Sequence, residues 1–178
     1  MRETPIYMIH DLMNLPNVPL PKGYRFRKFD FTRDDETLWA TIVTATGEFA
    51  SESEARQRFE DEFQPYPHET AERILFLETT EGRPVGTASA WFGEWNGETI
   101  GRLHWIEIIP DFQAKKLGRP LIAEAMKRLS HFHLKAYLKT QESSLAAIHI
   151  YQKFGFQPFS CTREQQASWN RIFTRLKR

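Results

Sequence analysis

A chain of 178 residues with 24 Lys+Arg against 23 Asp+Glu, a formal net charge of +1, has the length of one ordinary domain. It carries no bulk charge that would draw it to nucleic acid or to an anionic membrane, so neither is expected as a partner. One cysteine, Cys161, excludes an internal disulfide and a cysteine-based metal cluster. No run approaches the ~20 apolar residues that cross a bilayer, and the N-terminal stretch lacks a continuous apolar segment and a cleavage site, so a cytoplasmic domain is expected.

Residues 1–22 carry Pro5, Pro16, Pro19 and Pro21 without a sustained period and read as an extended arm, and residues 23–178 read as a single domain. "YRFRKFD" (residues 24–30) alternates apolar and charged side chains as a half-buried strand does. Two helices follow. "TRDDETLWATIVTATG" has Thr32 or Asp34 as N-cap and Gly47 at its end, and "SESEARQRFEDEF" opens with Ser51 and Glu54 at capping-box spacing. "RILFLET", "PVGTASAWFGEW" and "TIGRLHWIEII" are β-rich and predict three consecutive antiparallel strands, the last two joined at Asn96-Gly97. "GRPLIAEAMKRLSHF" has helical spacing at Leu121, Ile122, Ala125, Met126 and Leu129, and Pro120 fits its first turn. "KAYLKT" predicts a strand, and "SSLAAIHIYQKFG" a helix capped by Ser143 or Ser144 and stopped by Gly155. "FQPFSC" and "WNRIFTRL" predict a last pair of strands. The order is that of a mixed α/β sandwich.

The segment "PDFQAKKLGRP" joins a strand end to a helix start. Such a loop points several backbone N–H groups outward at the positive end of a helix dipole, a geometry that suits phosphate. Gly118 allows close approach, and Lys115, Lys116 and Arg119 add cations at the rim. The loop lacks the Gly-Lys-Ser/Thr ending of a P-loop and the three spaced glycines of a dinucleotide fold.

"QAKKLG" (residues 113–118) and "SLAAIHIYQKFGF" (residues 144–156), with a strand between them, resemble the paired motifs of the GNAT superfamily of N-acetyltransferases. Gln113, Lys116 and Gly118 stand at the marked positions of that family's pyrophosphate loop, Gln/Arg-x-x-Gly-x-Gly/Ala, with Lys116 in place of the first glycine. Ser144, Ala147, Tyr151, Lys153, Gly155 and Phe156 match its second motif, with Ser144 where asparagine is usual. The resemblance implies a central, mostly antiparallel sheet, splayed between the fourth and fifth strands and flanked by helices. It also implies that acetyl-CoA is the cosubstrate. The pantetheine arm would then lie in the splay against the main chain of Ile108 and Ile109. The pyrophosphate would lie on the N–H groups of Ala114, Lys115, Lys116, Leu117, Gly118 and Arg119, beside Gln113, Ser144 and Ala147. The side chain of Lys116 would disfavour a positive φ there by ~1 kcal/mol or more.

Acetyl transfer to an amine needs a neutral nucleophile, a polarised carbonyl and a proton for the departing thiolate. Tyr151 fits the last task by its motif position, or is a packed helix tyrosine with its hydroxyl bonded to a carbonyl. On "GRLHWIEII", plain alternation puts Arg102, His104, Ile106 and Ile108 on one face and Leu103, Trp105, Glu107 and Ile109 on the other. His104 and Glu107 are therefore competing candidates for the base, with imidazole, which titrates near neutral pH, taken first. Trp91, Phe92, Trp95 and Trp105 are core or acceptor-pocket aromatics, and by family analogy Phe49 and Ser51 lie on the acceptor side. His131 and His133, two apart, are wrongly spaced for a helical metal pair, and no metal is expected. The expected activity is acetyl transfer from acetyl-CoA to a primary amine, on a small molecule or a peptide, by direct attack in a ternary complex. The alternative is a catalytically silent CoA-binding or interaction module. Apolar residues of the arm and of "WNRIF" allow a homodimer.

Overall fold

The computed structural model describes residues 4–177. Its strands are β1 (Ile6–His10), β2 (Tyr24–Lys28), β3 (Ile74–Thr79), β4 (Pro84–Trp95), β5 (Glu98–Ile108), β6 (Ala136–Thr140) and β7 (Gln157–Phe159). They form one open sheet in the order β2-β3-β4-β5-β6-β1-β7. Every neighbouring pair is antiparallel except β5 and β6, which run parallel. The helices are α1 (Asp35–Ala45), α2 (Glu52–Glu62), α3 (Pro67–Arg73), α4 (Gly118–Ser130), α5 (Leu145–Lys153) and α6 (Arg163–Leu176). No helix among the described residues is long and apolar enough to cross a membrane.

Alternation divides the core between two faces. Phe76 and Trp91 point to a cluster with Trp39 of α1 and Phe59 and Phe63 of α2. Their neighbours Leu77 and Ala90 point the other way, to Leu121 and Met126 of α4, Ile148 of α5 and Trp169 of α6. The Asn96-Gly97 turn has both φ values positive, 50° and 83°, as a two-residue hairpin requires. Half of the box expected at the start of α2 forms: Ser51 Oγ accepts from Glu54 N–H at 3.2 Å, while the Glu54 carboxylate reaches past Ser51 and accepts from Ala50 N–H at 3.3 Å.

Two expectations change. The segment read as an arm contributes β1, which is not laid on the body but inserted between β6 and β7, with Ile6 and Met8 fully buried. "WNRIFTRL" is not a strand but part of α6. Thr162 caps that helix by accepting from Gln165 N–H at 3.1 Å, and the Gln165 amide oxygen accepts from Cys161 N–H at 2.8 Å. Trp169 and Ile172 pack inward at helical spacing and, like Ile6 and Met8, belong to this chain's own core, whereas Met13 stays exposed.

The parallel pairing of β5 and β6 covers only Gly101–Leu103 against Ala136–Leu138. β6 then continues alongside β1 to Thr140 while β5 runs on to Ile108 against β4, so the two part. This is the splay expected between the fourth and fifth strands of the sequence order, which become β5 and β6 once β1 is counted.

Candidate active site

β5 carries one extra residue where it leaves β6. Ser89 faces His104 and Thr87 faces Glu107, so two residues of β5, Trp105 and Ile106, stand opposite Ala88 alone. Trp105 takes φ +49° to accommodate this bulge. Ser89 and Thr87, two apart on β4, share a face, and their partners His104 and Glu107 therefore share it too. The opposite-face assignment from plain alternation is corrected: a bulge shifts the parity of every residue beyond it.

A cleft of about 480 Å³ opens at the parting of the strands. Tyr151, His104, Glu107, Ser144 and Ala147, all singled out from sequence, line it, together with Arg102, Lys139 and Glu48. Burial, reinforced by the Glu48 charge, pushes the Glu107 carboxyl up to about 7, against a smaller opposing effect of its bond to Thr46. Tyr151 is raised above the ordinary phenol value by burial and by Glu107, and no hydrogen bond is among the influences on its hydroxyl. It is 9% exposed, and its hydroxyl is protonated at neutral pH. The carbonyl bond that a merely packed tyrosine would make is not found among the described residues.

His104 behaves differently. Its Nε2 lies 2.7 Å from Glu62 Oε1, and Trp105 Nε1–H donates to Glu62 Oε2 at 3.2 Å. Burial lowers the imidazole below its ordinary value in spite of Glu62. Neutral His104 therefore donates Nε2–H to an ionised Glu62, which that bond and Trp105 hold below the usual carboxylate range against its own desolvation. Glu62 and Glu48 were not found by sequence reading. The first is 42 positions from His104 and meets it only through tertiary packing, and the second adjoins Phe49, which was named. Phe49 packs on Trp105 with ring centroids 5.4 Å apart, whereas Ser51 is taken up in capping α2.

The anion loop lies beyond the end of β5. Ala114 and Lys116 adopt φ of +59° and +63°, so the position where the family has glycine is left-handed here too and Lys116 carries the strain. The N–H groups of residues 114–119 make no backbone hydrogen bond among the described residues, and Leu117 gives α4 no side-chain cap. A Cβ at Gly118 would meet nothing within 4 Å, so the start of α4 faces open space. Lys115 Nζ sits 4.2 Å from the Phe112 ring centroid, and the Arg119 guanidinium 5.5 Å from that of Phe154.

Main-chain groups expected to hold a pantetheine arm are mostly engaged already. Ile109 N–H donates to Val85 at 3.0 Å, and the Ile109 carbonyl accepts from Phe112 N–H at 2.9 Å. The Ile108 carbonyl accepts from the exposed Gln113 amide at 2.9 Å, a bond that a ligand amide can replace. Ile108 thus offers the more readily released of the two carbonyls. Neither residue, nor the loop from Gln113 to Arg119, lines the cleft itself. No group of three or more His, Cys, Asp and Glu side chains poised for a metal occurs among the described residues.

Solved N-acetyltransferases share this fold. The GCN5-related N-acetyltransferase of Sphaerobacter thermophilus superposes with a TM-score of 0.67 at 19% identity, over 89% of this chain and 50% of that one. Glucosamine-6-phosphate N-acetyltransferase of Arabidopsis thaliana does so with a TM-score of 0.56 at 19% identity, over 78% and 95% of the two chains. The fold class is thus that of the N-acetyltransferases. Residues 18–156 match the acetyltransferase (GNAT) family, and the chain belongs to that family. A mycothiol acetyltransferase of Saccharomonospora viridis is 27% identical over 148 residues, 80% of this chain and 48% of its own length, so this chain spans about half of that relative.

Proposed function

We propose that the chain transfers an acetyl group from acetyl-CoA to an amine, with Glu107 as the base and Tyr151 as the acid. One observation carries this reading: a carboxylate titrating near neutrality and an unbonded buried phenol share the cleft where β5 and β6 part. Family membership and a relative named as an acetyltransferase support acetyl transfer as the reaction.

The loop fits the cosubstrate. Uncommitted N–H groups of residues 114–119 at the positive end of α4, open space at Gly118, and Lys115, Lys116 and Arg119 nearby suit a pyrophosphate. When bound, acetyl-CoA supplies an activated acyl carbon and a thiolate leaving group. Glu107 takes a proton from the acceptor amine as its nitrogen bonds to that carbon. Tyr151 gives its proton to the sulfur as the C–S bond breaks. Basicity follows the conjugate acid, so Glu107, raised to about 7, is a better base than His104, lowered by burial and committed at Nε2. The raised Tyr151 would be a poor acid toward a thiolate in water. In the same water-poor cleft the thiolate is destabilised as well, which narrows the gap.

Calorimetric titration with acetyl-CoA and CoA at two salt concentrations tests the assignment. Micromolar binding that weakens with salt is expected, followed by acceptor-dependent CoA release across a panel of amines. A folded sample that binds neither nucleotide removes the reading.

A further inference from the structure

Five buried side-chain nitrogen or oxygen atoms among the described residues lack a hydrogen-bond partner, and one of them, Arg102 Nε, belongs to a residue that lines the cleft. Among the described residues the Arg102 guanidinium also has no carboxylate at ion-pair distance. Glu62, which feels its charge, is already occupied by His104 and Trp105. The Tyr137 ring centroid lies 5.9 Å from the guanidinium. A half-buried guanidinium with an orphaned nitrogen costs stability unless something else meets it. Along the same strand and on the same face, Glu107 and the nearby Glu48 make the other end of the cleft acidic.

The cleft is therefore polarised along β5. Five residue steps separate Arg102 from Glu107, and the bulge absorbs one, which leaves their Cα atoms roughly 13 Å apart. The Arg102 charge is not among the influences on Glu107, so their charged ends stand apart, and a ligand that meets both carries its amine and its oxyanion several bonds from each other. We propose that the acceptor is an amine carrying an oxyanion, a carboxylate or a phosphate, several bonds from its nitrogen, and that Arg102 seats the oxyanion while the Glu48 and Glu107 end receives the amine. The proposal rests on the acetyltransferase reading and adds the substrate class and a specificity-determining residue. Arg102 was visible in sequence only as one of a strand's alternating positions; its missing partner is a tertiary fact.

The test begins with acetyl-CoA binding by calorimetry on the full chain. CoA release is then measured with matched acceptors, glycylglycine against glycylglycinamide and glucosamine 6-phosphate against glucosamine. The anionic member of one pair should be favoured roughly 10- to 100-fold in kcat/KM, and which pair responds tells a carboxylate from a phosphate. In Arg102→Met the ratio should collapse towards one through KM, and Arg102→Lys should retain part of it. A second readout needs no turnover: the favoured anionic acceptor should raise the melting temperature of the parent protein but not of Arg102→Met, which should itself melt no lower than the parent. Acetyl-CoA binding without discrimination within either pair, or with discrimination that survives in Arg102→Met, overturns the proposal and leaves the acetyltransferase reading standing. Failure to bind acetyl-CoA removes both.

Discussion

His104 and Glu107 lie on one face of β5, three residues apart, because the strand carries an extra residue between them. The bulge at Trp105 brings both into one cleft and then gives them opposite electrostatic fates. A pH profile can tell them apart. Glu107 acts when deprotonated, so turnover should rise with pH through about 7. Glu107→Gln should lower kcat roughly 100- to 1,000-fold and flatten that limb, while His104→Gln should keep it. A limb lost in His104→Gln and kept in Glu107→Gln would reverse the roles.

The same carboxyl makes a stability prediction. Folded Glu107 holds its proton up to about 7, whereas the unfolded chain releases it near the ordinary value of 4.5. The native state thus binds more protons between those values, and stability falls as pH rises through that window, by at most about 3.5 kcal/mol. Denaturant titrations of Glu107→Gln at pH 5 and pH 8 should show a smaller decline than the parent.

Glu48 is an exposed residue whose charge reaches Glu107. Removing that like charge in Glu48→Gln should lower the Glu107 value, so the rising limb moves towards acid. A limb that stays in place would show that burial alone sets it.

Tyr151 offers a cleaner substitution than most buried tyrosines, since no hydrogen bond to its hydroxyl contributes to its shift. Tyr151→Phe should leave melting temperature and CoA affinity nearly unchanged while kcat falls roughly 100-fold. Equal losses in affinity and turnover would reduce Tyr151 to a packing role.

Much of this architecture was legible because it is local. The three central strands, the hairpin turn, the Ser51 cap and the loop before α4 depend on neighbours a few residues apart, and they form as read. β1 was not legible: "IYMIH" is short, directly preceded by Pro5, and becomes a strand only because β6 and β7 pair with it from more than 125 positions away. α6 carried a usable signal that was passed over. Thr162 and Gln165 sit at capping-box spacing, with Trp169, Ile172, Phe173 and Leu176 following in helical register. The bulge at Trp105 has no glycine to announce it, so alternation failed at the position that decides the site.

Gly155 tests whether β1 is coupled to the second motif. It has φ +94°, and a Cβ there would lie 2.8 Å from His10 Nε2. That ring cannot move aside: Nε2 bonds the Phe154 carbonyl at 2.9 Å and Nδ1 accepts from Leu12 N–H at 2.7 Å. Gly155→Ala should cost roughly 2 to 4 kcal/mol from backbone strain and overlap together. In a His10→Ala background only the backbone part, about 1 kcal/mol, should remain. Equal costs in both backgrounds would show that the clash with β1 contributes nothing.

Lys116 is where stability and ligand binding should separate. Its φ of +63° costs a side chain about 1 kcal/mol or more, and glycine removes that strain while adding some unfolded-state entropy. Lys116→Gly should therefore raise the melting temperature by about 2 °C. The exposed ammonium contributes attraction to a bound pyrophosphate, so the same variant should bind CoA a few-fold more weakly at low salt, and the difference should shrink as salt screens it. Calorimetry at two ionic strengths beside a thermal melt reads both effects. Tighter CoA binding in the glycine variant at every salt concentration would mean instead that loop geometry, and not the lysine charge, limits the anion site.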